Sequence, residues 1–487
     1  MMHKTKIVAT VGPACDTPEK LLALVQEGVN VFRLNFSHGT HESHAAVITH
    51  IRNINAAHPF NIAILADLQG PKLRVGDIAG GELDLKTGDE FFFTDKPAPG
   101  NLTDGIHISY PDLAKDAQVG EKILLDDGKI EVLVIDIDPD EKVKVKVTVP
   151  GKLLPRKGVN LPDTRISMPS LSEKDLKDLD FIIAQDIDWI ALSFVRKPED
   201  ITHLREIMKE KGSNAKIIAK IEKPEALTRL REVILASDAV MVARGDLGVE
   251  LPLEQVPMVQ KKIVSMCIHR AKPVIIATQM MESMMDRTRP NRSEITDVAN
   301  AVLEGADAVM LSGETAAGQY PALVVRTMVS IINEVEKQDI VYNRNLRPQS
   351  HSPSFLSDAI CYNACELAKD VNADALVGMT QSGYTGFMLS SFRPRSPLFV
   401  FTKTHSLVHQ LSLSWGVQAF YYEKEESADA ILKDQIDFLI ERDCIKPGQV
   451  VIQTGSIPVS EHLPTNMIKI SRVPGGPETE TPGVRAL

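Results

Sequence analysis

The chain has 487 residues, more than one hydrophobic core supports, so two or three domains are expected. Hydrophobic residues make up 43% and charged residues 24%, an ordinary globular balance with no apolar run long enough to cross a bilayer, which excludes a membrane-spanning protein. A formal net charge of −11 opposes nonspecific attraction to nucleic acid, which needs clustered Lys and Arg.

The first residues, MMHKTKIVATVGP, lack the long apolar stretch and small-residue cleavage site of a signal peptide, so a cytoplasmic protein is expected. Cys15, Cys267, Cys361, Cys365 and Cys444 cannot all pair and form no CxxC motif. Reduced, mostly buried thiols are expected, not a disulfide framework or a zinc site.

Short Val- and Ile-rich runs alternate with amphipathic segments, the pattern of βαβ units. Strands are predicted at TKIVAT (5–10), VNVFRLNF (29–36) and IAILAD (62–67), then at DWIALSF (188–194), AKIIAKIE, AVMVARGD, KPVIIATQ and DAVMLSGE. Segments such as PEKLLALVQEG and RSEITDVANAVLEG read as helices, several closing on glycine. Eight such pairs predict an α/β fold, a closed (β/α)8 TIM barrel over residues 1–69 and 168–345. The interruption at 70–167 alternates polar and apolar residues with Asp-Gly and Pro-Asp turns, and reads as a small inserted β domain. RPQSHSPS reads as a linker, 350–474 as a C-terminal α/β domain, and 475–487 as a Pro/Gly-rich tail with no assigned chemistry.

Catalytic groups of such a barrel collect at the carboxyl ends of its strands. Arg33, Asn35 and Ser37 end the second, Asp67 the third, Lys220 and Glu222 the fifth, Arg244 and Asp246 the sixth, and Thr278 the seventh. Spacing of two aims each set to one side of its strand. Glu222 and Asp246 suit a hard divalent cation that keeps positions open for substrate oxygens. Lys220 and Arg33 supply the positive charge a migrating phosphoryl group needs. The ensemble implies phosphoryl or enolate chemistry, whereas any single pair also reads as an ordinary buried salt bridge. Neither GxxxxGK[ST] nor a post-strand GxGxxG is present, so side chains and metal must hold the phosphates.

TKIVATVGPA, FRLNFSHG, DLQGPKLR, KGVNLP, IAKIEKPEA, VMVARGDLGVE, ATQMMESM and DAVMLSGETAAGQYP resemble, in order, the motifs of the pyruvate kinase family. The resemblance spans essentially the whole chain and is weakest at its C-terminal end. It implies transfer of the phosphoryl group of phosphoenolpyruvate to ADP, giving pyruvate and ATP with Mg2+ or Mn2+, in a homotetramer whose inserted domain is a small β-barrel lid. By the same resemblance, Arg33, the Gly245 backbone, Asp246 and Thr278 hold phosphoenolpyruvate; Glu222 and Asp246 hold the metal; Lys220 stabilises the transition state. Asn35, His38, Arg74 and Lys157 are implied for the nucleotide.

Many relatives carry DTKGPEIR where this chain has DLQGPKLR, so Lys72 replaces a glutamate. That glutamate accompanies potassium bound by Asn35, Ser37, Asp67 and the backbone of Leu68; a lysine ammonium can supply the charge itself, so potassium is expected to be dispensable. The alternative is a solvated Lys72 with the potassium site intact. Thr380, Gln381, Ser382, Gly383, Tyr384 and Thr385 resemble the family's effector loop, with Gln381 where many relatives have lysine. A phosphorylated small-molecule effector is expected there; a simple capped helix start is the alternative.

His38, His41 and His44 recur three apart like metal ligands, and read better as a polar helix start. Met280, Met281, Met284 and Met285 read as core packing. A metal-dependent pyruvate-enolate aldolase on a TIM barrel and a catalytically silent regulatory homologue are the competing readings. The inserted domain and nucleotide residues oppose the first, and the full set of ionisable residues opposes the second.

Overall fold

The computed structural model describes residues 3–138, 142–344, 346–424, 427–458 and 463–475. Eight parallel strands close a barrel in chain order: β1 (Lys6–Thr10), β2 (Val31–Asn35), β3 (Ala63–Asp67), β4 (Trp189–Leu192), β5 (Lys216–Ile221), β6 (Ala239–Ala243), β7 (Val274–Ala277) and β8 (Ala308–Leu311), with β8 returning to β1. Both strand faces are buried, which is why these segments read as continuous apolar runs.

Strand parity divides the core in two. Ile7, Phe32, Leu34, Ile64, Ile190, Ile217, Val240 and Ile276 pack under the outer helices. Their neighbours Val8, Val31, Leu65, Trp189, Ile218, Met241 and Ile275 fill the barrel interior. The large Trp189 fits because Ala63, Ala191, Ala239, Ala277 and Ala308 share that interior. Leu413, from the C-terminal domain, belongs to the same cluster and seals the barrel floor.

Between β3 and β4 the chain builds a six-stranded sheet and a two-stranded one around a separate core that includes Phe91, Phe93, Ile123, Val132 and Val145. The predicted Asp-Gly turn is present: Asp126, Asp127 and Gly128 all have positive φ, the conformation that favours Asp and Gly. The predicted Pro-Asp turn at 139–140 lies outside the described residues.

The last unit is a five-stranded sheet of β9 (Ala375–Met379), β10 (Leu398–Thr402), β11 (Val417–Tyr421), β12 (Val450–Gly455) and β13 (Met467–Arg472) in the order β11-β10-β9-β12-β13. YTGFMLSSF forms a helix, Tyr384–Ser391, and β13 pairs antiparallel at the edge. Most of the tail assigned to 475–487 lies outside the described residues.

Arg393, buried to 1% exposure, anchors this unit to the barrel by an ion pair with Asp307 at 3.0 Å and a hydrogen bond to Gly305 O at 2.7 Å. Trp189 Nε1 donates to Gln410 O, and the Gln410 amide donates to Asn214 O at 2.9 Å. All five cysteines are free and four are buried. No helix among the described residues is long and apolar enough to cross a membrane.

Candidate active site

The parity that sends Val8, Val31, Leu65, Trp189 and Ile218 inward continues one or two steps further and turns polar. Thr10, Arg33, Asp67, Ser193, Lys220 and Glu222 form the top layer of the barrel interior. Arg33 contributes Nε to Asp67 Oδ2 at 2.8 Å and a terminal nitrogen to Thr10 Oγ1 at 3.0 Å. Lys220 Nζ lies 3.1 Å from Asp67, 2.8 Å from Glu222 and 2.7 Å from Ser193 Oγ. The ammonium is therefore fixed at the centre of the mouth, 11% exposed.

Burial acts against the Lys220 charge, but Asp67 and Glu222 outweigh it and hold its pKa above the ordinary lysine value. For Asp67, burial favours the neutral acid, yet Lys220 and Arg33 keep its pKa below the usual carboxylate range. Glu222 goes the other way: burial raises its pKa, the nearby Asp246 charge adds to this, and Lys220 only partly compensates. Glu222 Oε2 accepts the backbone N–H of Phe194 at 2.8 Å, an amide aimed by a positive φ of 54°.

The sequence placed Arg244 and Asp246 at a strand end. The structure corrects this: β6 stops at Ala243, and both residues lie on a short helix, Arg244–Glu250. Arg244 is turned to hold the β7 end, donating to Ala277 O at 3.2 Å and Thr278 O at 2.6 Å and pairing with Asp297 at 2.7 Å. Thr278 itself has φ of 65°, a strained conformation for a β-branched residue. Its hydroxyl accepts the Gly245 N–H at 2.8 Å and donates to Ala277 O. Among the described residues, no hydrogen bond or ion pair engages the Asp246 carboxylate.

Glu222 contacts Lys220, and Asp246 lies close enough for its charge to act on both. No group of three or more His, Cys, Asp or Glu side chains among the described residues is placed to hold a metal ion. Two carboxylates with open positions suit a magnesium-like ion completed by substrate oxygens and water better than a closed protein cage.

The remaining predicted residues are distributed around this mouth. Asn35 Oδ1 accepts the Ser37 N–H at 3.1 Å, and Leu68 O accepts the Ser193 hydroxyl at 2.6 Å. Lys72 is exposed on the wall of the cleft between barrel and inserted domain, which Asp246, Phe194 and Asp127 also line. Arg74 and Lys157 come together across the Arg74–Gly158 bridge, Lys157 pairing with Asp126 at 2.9 Å. His38 is exposed and its carbonyl binds His44; His41 pairs with Asp178 and stacks on Phe181, so the three histidines do not converge. Met280, Met281 and Met284 are fully buried.

Ser193, Phe194 and Thr10 were not singled out from sequence. Parity along WIALS points to Ser193, since it shares a face with Trp189 and Ala191; the Phe194 amide and the Arg244 anchor carry no local signal.

The pyruvate kinase barrel-domain model matches residues 2–325, and the pyruvate kinase alpha/beta-domain model matches residues 358–471. The chain belongs to the pyruvate kinase family. It is 42% identical over 475 residues to the pyruvate kinases of Staphylococcus aureus strains USA300 and NCTC 8325, a match covering 97% of this chain and 81% of theirs. The crystal structure of a pyruvate kinase from Cryptosporidium parvum superposes with a TM-score of 0.91 at 35% identity, covering 97% of both chains. As a member of the pyruvate kinase family the chain is an enzyme, a phosphotransferase, and neither the aldolase nor the silent-homologue reading is favoured. The closed barrel, inserted sheet domain and C-terminal α/β unit are the architecture of that family.

Proposed function

We propose that the enzyme transfers the phosphoryl group of phosphoenolpyruvate to ADP at the mouth of the barrel, with the domain limits read from the sequence. The observation that supports this most is the Lys220 ammonium held between two buried carboxylates, with the unengaged Asp246 carboxylate beside them. A divalent cation, Mg2+ or Mn2+, on Glu222 and Asp246 supplies Lewis-acid neutralisation of phosphate and enolate charge. Arg33, the Gly245 backbone, Asp246 and Thr278 hold phosphoenolpyruvate. A β-phosphate oxygen of ADP attacks phosphorus, the bond to the enol oxygen breaks, and Lys220 balances the charge that builds on the PO3 unit. The enolate then takes a proton on the side of Thr278, giving pyruvate.

Asn35, His38, Arg74 and Lys157 serve the nucleotide, the latter two from the inserted domain acting as a lid that excludes water. Lys72 supplies the charge that potassium would bring to the site of Asn35, Ser37, Asp67 and Leu68. A cavity of about 630 Å3 in the C-terminal domain includes Thr380, Gln381, Ser382, Tyr384 and Thr385 in its wall. Gly383 sits in the loop with φ of 91°, where a Cβ would come within 2.7 Å of Phe387, so the turn needs glycine. Hydroxyls and helix-start amides suit a phosphorylated small molecule there, and Gln381, standing where many relatives have lysine, favours a weakly held one. A homotetramer in the cytoplasm completes the reading.

The test is an assay of pyruvate release from phosphoenolpyruvate and ADP with Mg2+. Turnover that needs all three supports the assignment, and turnover without ADP rejects it. A thermal-shift screen of phosphorylated sugars and nucleoside monophosphates tests the cavity, with loss of the shift in Thr380→Ala expected.

A further inference from the structure

The lid meets the barrel through a buried cluster that the proposed reaction does not use. Asn160, on the lid strand Val159–Asn160, donates Nδ2 to Glu250 Oε1 at 2.8 Å, and Lys223 Nζ reaches the same oxygen at 2.5 Å. The Glu250 side chain is fully covered and that of Lys223 is 4% exposed. Glu250 Oε2 is buried without a hydrogen-bond partner. A carboxylate that crowds two donors on one oxygen and leaves the other bare is a poor way to stabilise a seam, since apolar packing does as well or better.

The cluster's connections explain it. Lys223 follows Glu222 directly in the chain, and its ammonium faces the Phe194 ring at 6.0 Å while the Phe194 amide binds Glu222. Glu250 ends the short helix that carries Asp246, one turn back on the same face. One buried carboxylate therefore touches the lid, the residue beside one proposed cation ligand, and the helix bearing the other. We propose that Glu250 is a positioning residue that ties lid closure to the geometry of the Glu222–Asp246 pair. The proposal rests on the assignment of those two carboxylates to the divalent cation. When the lid swings away, Asn160 leaves Glu250, the Lys223–Glu250 pair opens to water, and the helix and the β5 end lose their common tie; when it closes, the pair is set for the cation as the nucleotide is enclosed.

Mg2+ titrations of the full-length enzyme, with saturating phosphoenolpyruvate and ADP, test this on Asn160→Ala, Glu250→Gln and Asp246→Asn. Asn160→Ala is expected to raise the half-saturating Mg2+ concentration by about tenfold, the scale of one charge-assisted hydrogen bond, with kcat at saturating Mg2+ and the melting temperature near the parent values. Glu250→Gln is expected to raise it further, and adding Asn160→Ala to it to change nothing more. Parent-like Mg2+ dependence in Asn160→Ala overturns the positioning role, as do losses that simply multiply in the double variant. Parent-like Mg2+ dependence in Asp246→Asn shows instead that the cation assignment itself has failed. Asn160 is a partly exposed lid residue, so its variant decides the matter even if Glu250→Gln does not fold.

Discussion

The ammonium of Lys220 lies 2.8 Å from Glu222 Oε1, two positions along the same strand edge, and 3.1 Å from Asp67 on β3. Replacing Lys220 by Met removes the charge proposed to act in the transition state, while Asp246 loses no partner. Turnover is expected to fall by roughly a thousandfold or more, with Mn2+ binding retained. Steady-state kinetics paired with Mn2+ electron paramagnetic resonance checks both halves, and weakened metal binding with unchanged kcat contradicts the assigned role.

Glu222 has its pKa raised by burial and by Asp246. The metal-free protein therefore takes up a proton there at a higher pH than an exposed glutamate does. The bound cation needs the carboxylate, so acidification sets proton against metal: half-saturating Mg2+ is expected to rise as pH falls through that raised pKa, by up to about tenfold per pH unit. The dependence is measured by Mg2+ titrations across pH. A Glu222→Gln variant, expected to bind Mg2+ weakly at every pH, should lose this slope.

Exchange of potassium for tetramethylammonium is expected to leave most activity in place, because Lys72 brings its own charge to the cleft. Lys72→Glu reverses this, with activity dropping about tenfold or more without potassium and returning when potassium is added. Collapse of the parent enzyme in tetramethylammonium contradicts the role given to Lys72.

Arg393 and Asp307 form the buried ion pair between barrel and C-terminal domain. Arg393→Met leaves Asp307 uncompensated, and a loss of about 3–5 kcal/mol is expected. Urea unfolding measures it, and Arg393→Met combined with Asp307→Asn should recover part of the loss.

Much of the barrel and its site is legible because strand parity alone carries it: Ile218, Lys220 and Glu222 share a face whatever surrounds them, and Arg33 and Asp67 follow the same rule on β2 and β3. What stays hidden depends on partners distant in the chain. Nothing in RGDLGVE tells that Arg244 turns toward Thr278 or that Glu250 meets Asn160, 90 positions earlier. The helical start at Arg244 is masked by the apolar strand that runs into it, and Phe194 acts through a backbone amide that any residue possesses.

The tryptophan at the foot of β4 touches the C-terminal domain through Gln410, and the same strand leads to Ser193, on which Lys220 leans. Four residue steps separate the two, about 13 Å of extended chain. β4 thus runs as one continuous element from the contact with the neighbouring domain below to the hydroxyl that seats the lysine above.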